Sequence, residues 1–158
     1  MMIFEQAIEL VLGHEGGYVN DPKDAGGETN WGISKKSYPD LDIKNLTREQ
    51  AKSIYKKDYW MKCKCDDLPS ELRLIMFDGA VNQGVGFMCK SLQEAAQVQA
   101  DGVIGPVTLK KVNSIEVKIL LSVLAQKREA RYKFNPQFAR FGNGWMARLE
   151  SVVKKSSA

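Results

Sequence analysis

A chain of 158 residues with 44% hydrophobic content and a formal charge of +4 is long enough to close one ordinary core. Five prolines, thirteen glycines and no low-complexity run argue against a long linker, and the longest apolar run, near Ile119 to Ala125, is far below the roughly 20 residues of a membrane span. Three cysteines make no disulfide framework, and His14 as the only histidine leaves a poor ligand set for zinc, so neither a metal nor another cofactor is expected.

Glu5, Gln6 and Glu9 interrupt the stretch from Met1 to Leu12, so no secretory signal is expected, and the chain reads as synthesised in the cytoplasm. In that stretch Phe4, Ala7, Ile8, Val11 and Leu12 recur at helical spacing, which predicts a helix from about Ile3 to His14 or Glu15. Gly16 and Gly17 would stop it. Tyr18-Val19 reads as extended, the segments Asn20-Asp21-Pro22 and Asp24-Ala25-Gly26-Gly27 as turns, and Thr29 to Ile33 as a second short strand, giving a small β-hairpin lobe.

Thr47-Arg48-Glu49-Gln50 has the reciprocal N-terminal capping pattern and opens a helix to about Trp60. A loop over Cys63 to Asp67 precedes a third helix from Pro69-Ser70 to about Asn82, apolar on more than one side and therefore central. Further helices are predicted from about Phe87 to Ala100, Pro106 to Lys111, just after Asn113-Glu116 to Phe134, and Trp145 to Lys154. The basic runs Lys52–Lys57 and Lys127–Lys133 read as solvated helix faces. The mild positive charge suits an anionic polymer, nucleic acid or cell wall, without choosing between them; no nucleic-acid-binding motif is present.

Two features of this pattern carry chemistry. Glu15 lies three residues after Leu12, four after Val11 and seven after Ile8, so its carboxylate ends an apolar stripe. Desolvating a charged carboxylate costs several kcal/mol, and a group in such a place is paired or stays protonated, as a general acid must. On the central helix Asp78 and Asn82 share a face, where they are either a satisfied structural pair or contacts to a substrate.

The strings Glu15-Gly16-Gly17-Tyr18-Val19-Asn20-Asp21-Pro22 and Asp24-Ala25-Gly26-Gly27-Glu28-Thr29-Asn30-Trp31-Gly32-Ile33 resemble glycoside hydrolase family 108, muramidases found among bacteriophage endolysins and secretion activator proteins. Asp58-Tyr59-Trp60, Leu68-Pro69, Phe77-Asp78-Gly79-Ala80-Val81-Asn82-Gln83-Gly84 and Leu92-Gln93 extend the resemblance, and Asp101 to Thr108 is similar to the family's peptidoglycan-binding region. It implies a mainly helical α+β, lysozyme-like fold with a small β-hairpin lobe after the first helix. It also implies cleavage of the β-1,4 bond between N-acetylmuramic acid and N-acetylglucosamine. Residues 1–70 would then form the catalytic region and 71–158 a helical region resembling the peptidoglycan-binding part, packed as one compact unit.

In the family pattern Glu15 is the catalytic acid, and Glu15, Asp24 and Thr29 resemble the acid, aspartate and threonine set of phage-type lysozymes, one residue short between the last two. The chemistry of a glycosidic bond agrees: a protonated carboxyl donates to the leaving oxygen while a second carboxylate stays ionised in a wetter place. Glu15 on the stripe and Asp24 in a polar turn suit those environments, with Thr29 holding water. Tyr18 and Trp31 are either packing residues or sugar-stacking ones. The resemblance favours cleft-lining roles for Asp78 and Asn82. The expected partner is the peptidoglycan glycan strand, reached after holin-type release or another export route, without nucleic acid and without membrane insertion. A lytic transglycosylase and a non-catalytic wall-binding or secretion-assisting protein are the alternatives.

Overall fold

The computed structural model describes residues 1–14, 17–21 and 27–156. Its helices are α1 (Phe4–His14), α2 (Arg48–Tyr55), α3 (Ser70–Gln83), α4 (Val85–Ala95), α5 (Pro106–Val112), α6 (Val117–Phe134) and α7 (Phe138–Ser156). Three short strands, β1 (Val19–Asn20), β2 (Glu28–Asn30) and β3 (Ile33–Ser34), form one antiparallel sheet in the order β1-β2-β3. This is the mainly helical α+β arrangement expected of a lysozyme-like chain. Among the described residues no helix is long and apolar enough to cross a membrane.

α1 forms where its stripe predicts. Ala7, Ile8 and Val11 are fully buried, each large aliphatic contributing about 1.5–3 kcal/mol by leaving water. Phe4, at the start of the stripe, meets Trp60 edge-on at 5.5 Å and Phe77 at 5.7 Å, and Trp60 meets Phe77 at 5.3 Å. These T-shaped contacts lock α1, α3 and the π turn Lys56–Trp60 that continues α2. The capping box opens α2 as its sequence requires: Gln50 N–H donates to Thr47 Oγ1 at 3.1 Å and Thr47 N–H donates to Gln50 Oε1 at 2.9 Å.

α3 is the axis of the molecule. Leu72, Leu74, Ile75, Met76 and Phe77 are all buried, and the helix packs against α1, α4, α6 and α7. Both kinds of face expected from its sequence are therefore used.

Three predicted boundaries move. The segment Thr29 to Ile33 is strand, turn and strand: Trp31 and Gly32 take φ of 54° and 78°, the left-handed pair of a two-residue hairpin, and Asn30 pairs with Ile33 across it. α4 starts earlier, at Val85, and stops at Ala95, because Gln97 turns left-handed and the buried Gln93 side chain draws the following loop back. α7 starts seven residues before Trp145 and runs through Gly142-Asn143-Gly144. A Cβ at Gly142 would fall 2.6 Å from a Phe138 ring carbon, so glycine there makes room for that ring within the helix instead of standing in a loop before it.

Candidate active site

The small sheet is tied down by groups of its own strands. Asn30 is buried, and its Nδ2 donates to the Ile43 carbonyl at 3.1 Å. Trp31 Nε1 donates to the Leu46 carbonyl at 3.0 Å, and the Trp31 carbonyl accepts from the Tyr55 hydroxyl at 2.6 Å. The lobe is thus fastened both to the loop before α2 and to α2 itself. Trp31 is half-buried against the core, so its indole edge serves packing and anchoring.

Tyr18 is partly exposed and donates from its hydroxyl to Glu28 Oε2 at 2.7 Å, a bond to the carboxylate that holds the phenol's pKa above its ordinary range. Beside that contact Val19 pairs with Thr29 and Asn20 with Glu28. Strand alternation places Thr29 on the face opposite Asn30, away from the loop that Asn30 grips. Glu15 and Asp24, the expected acid and its partner, lie outside the described residues, as do Gly16, Pro22 and Gly26. The segments that flank them are described: α1 runs to His14, and the Asn20–Glu28 pair closes the ends of the segment carrying Asp24.

Asp78 is not a surface group. Its side chain is 1% exposed, and Arg128 Nη2 donates to its Oδ2 at 2.9 Å while Arg148 Nε donates to its Oδ1 at 3.0 Å. The expected cleft contact is replaced by a two-arginine clamp that joins α3 to α6 and α7, which satisfies a carboxylate that would otherwise be costly to bury. Asn82, one turn further along α3, is half-buried and does reach the edge of the interior. Its Oδ1 accepts from the Tyr132 hydroxyl. Arg128 Nη2 donates to Tyr132 Oη at 3.0 Å, so the single phenolic hydrogen points to Asn82. Burial pushes the Tyr132 phenol up, against the pull of Arg128, and keeps it a neutral donor.

Arg128, Tyr132 and Arg148 were not singled out from the sequence. Arg128 belongs to the basic run Lys127–Lys133 read as a solvated face, yet its side chain is fully buried. The signal was present: Arg128 and Tyr132 continue the spacing of Leu120, Leu121 and Leu124 on the apolar stripe of α6.

Gln93 is a second buried polar hub. Its Nε2 donates to Asp101 Oδ1 at 2.8 Å and to the Val103 carbonyl at 3.0 Å, and its Oε1 accepts from Gly102 N–H at 2.8 Å. With Thr108 Oγ1 at 3.2 Å from the same nitrogen, Gln93 organises the loop from Asp101 to Thr108 as a hydrogen-bonded unit. Among the described residues no cluster of three or more His, Cys, Asp or Glu side chains is placed to hold a metal ion.

Comparison with known proteins sets these groups in context. The family model described as Glycosyl hydrolase 108 matches residues 8–84. A solved structure titled "Structure of Brucella abortus SagA" is 35% identical, covering 97% of this chain and 92% of that one with a TM-score of 0.87. No curated protein matches the sequence. The family match runs from Ile8, part-way along α1, through the sheet, α2 and α3, ending at the Gly84 that separates α3 from α4.

Proposed function

The chain belongs to the glycosyl hydrolase 108 family, and from that premise we propose that it is a peptidoglycan muramidase cleaving the β-1,4 bond between N-acetylmuramic acid and N-acetylglucosamine. Glu15 protonates the leaving glycosidic oxygen, Asp24 stays ionised and acts on the water, and Thr29 holds that water by its hydroxyl. The observation that carries the reading is the pairing of Val19 with Thr29 and of Asn20 with Glu28 immediately after α1. It anchors both ends of the segment bearing Asp24 and sets Thr29 on the same sheet, next to the strand that follows Glu15.

An inverting reaction, the outcome favoured for a base acting on water, separates the two carboxyls by roughly 6.5–9.5 Å. Tyr18 and Trp31 frame the lobe, the first more open to a sugar than the second. Residues 71–158 supply the helical wall, with Asp78 positioning α3 and Asn82 at its edge. The glycan strand is the partner. The reading is tested by Glu15→Gln, which keeps size and shape but cannot donate a proton as a carboxylic acid. A purified wall suspension should lose its turbidity with the parent protein and keep it with the variant; equal clearing by both would remove Glu15 from the mechanism.

A further inference from the structure

Where α3, α6 and α7 meet, Asn82, Gln83, Arg131, Tyr132, Asn135 and Trp145 line a cavity of about 350 Å³. The hydrogen bonds around it have a fixed polarity. Asn82 Oδ1 is taken by Tyr132, and Asn135 Oδ1 accepts from Gln137 N–H at 2.8 Å, so each amide is left with its NH₂. Gln83 is held at both ends by Arg128, whose Nε donates to Oε1 at 2.6 Å and whose carbonyl accepts from Nε2 at 3.2 Å. Arg131 lies with its guanidinium carbon 4.2 Å from the Phe87 ring centroid, a stacking contact. Trp145, stacked on Tyr132 at 5.3 Å, adds an indole N–H. The side-chain groups left to meet a ligand are donors, and none of the six lining residues is acidic.

Charge points the same way. Asp78 offers one negative charge to two guanidinium groups, so the interior behind the cavity carries a positive surplus. Arg128 Nη1 is buried and finds no hydrogen-bond acceptor among the described residues. A surplus cation with an unmet donor beside a donor-lined cavity favours an anion with several acceptor lone pairs.

We propose that this cavity is a carboxylate-binding subsite for the acid-bearing part of the wall polymer. The acid is the lactyl carboxylate of a muramic residue or the free acid of its attached peptide. Asn82 and Asn135 donate to the carboxylate, Arg131 supplies charge, and Tyr132 acts as a positioning residue by fixing which end of Asn82 faces the ligand. The identity of the ligand rests on the peptidoglycan reading; the preference for a carboxylate rests on the cavity.

The test is an NMR titration of the full, ¹⁵N-labelled chain with three small probes that contain no glycosidic bond between sugars. N-acetylmuramic acid carries the lactyl acid, N-acetylglucosamine has the ring without it, and N-acetylmuramoyl-L-alanyl-D-isoglutamine has its free acid on the peptide. N-acetylmuramic acid, the dipeptide or both should saturably shift the Asn82 and Asn135 side-chain amides and the Trp145 indole, and N-acetylglucosamine should leave them in place. Which acid-bearing probe binds assigns the source of the carboxylate. Arg131→Ala, a change at an exposed position, should weaken the shifts' affinity about tenfold, and Asn82→Asp, which sets a carboxylate against the ligand's, should abolish the shifts of the Asn135 amide and the Trp145 indole.

The proposal is overturned if N-acetylglucosamine shifts the same signals with equal affinity, or if no probe moves them. Missing shifts alongside Glu15-dependent wall clearing would remove the subsite and leave the hydrolase. Acid-dependent shifts without clearing would remove the hydrolase and leave the subsite.

Discussion

The Asp78 carboxylate lies 2.9 Å from the Arg128 guanidinium, with both side chains sealed from water and 50 positions apart in the chain. Phe77, its neighbour in sequence, sends its ring into the aromatic cluster of Phe4, Tyr55 and Trp60. Consecutive residues of α3 therefore hold the two halves of the molecule, one by apolar packing and the other by charge. Asp78→Asn should cost about 3–5 kcal/mol, since it leaves the buried Arg128 and the partly buried Arg148 without a counter-charge. Urea denaturation would measure this; a loss below about 1 kcal/mol, the worth of a surface pair, would refute the structural role.

Gln93 joins α4 to the loop Asp101–Thr108 through both ends of its amide. Gln93→Leu keeps the bulk of the side chain but removes its bonds to the buried Thr108 and to the partly buried loop around Gly102, and should destabilise by about 1–3 kcal/mol. Hydrogen exchange checks the mechanism: the Gly102 amide should lose its protection selectively.

Cys63 Sγ and Cys89 Sγ are 3.8 Å apart in the core. Hydrogen bonding to Cys65, with burial, holds the Cys63 thiol well above its ordinary pKa, and hydrogen bonding to Cys63, with burial, does the same for Cys89. Raised folded values mean that these thiols stabilise the fold fully below the unfolded-state pKa near 9, and that their contribution falls as pH rises above it. The native chain should react slowly with a thiol reagent at pH 8 and fully in denaturant. A parallel series of melts should fall above pH 9 less steeply for Cys89→Ala than for the parent. Rapid native labelling of Cys63 and Cys89 would contradict the burial argument.

Thr29 tests the water-holding role. Thr29→Ala should lower turnover of wall substrate about tenfold to a hundredfold at unchanged melting temperature, while Thr29→Ser, which keeps the hydroxyl, should recover most of it. A serine variant as slow as the alanine variant would show that the methyl group's packing matters and the hydroxyl does not.

Local patterns were readable in the sequence wherever local physics decides the outcome. The stripe from Phe4 to Leu12 became α1, Thr47 and Gln50 became a capping box, and α3 was recognisable as central from its apolar faces. Asp78 stood out on that helix, but its partners are 50 and 70 residues away, and no spacing rule joins such positions. Arg128 was hidden by its charged neighbours, although it shares their helix and not their exposure. The last helix was placed too late, at Trp145, because a glycine that makes room for the Phe138 ring inside a helix looks, in sequence, like part of the loop before one. Of the candidate site, Thr29, Tyr18 and Trp31 fall on or beside the sheet as expected, whereas Asp78 turns inward. The hydrogen-bond polarity that orients Asn82 exists only once Arg128 and Tyr132 are brought to it.

The most direct measurement is mass spectrometry of the fragments released from purified peptidoglycan, with and without borohydride reduction. Hydrolysis by Glu15-driven acid catalysis should give fragments that have gained one water and end in reducible N-acetylmuramic acid. Anhydromuramyl ends throughout, or reducible N-acetylglucosamine ends, would contradict it.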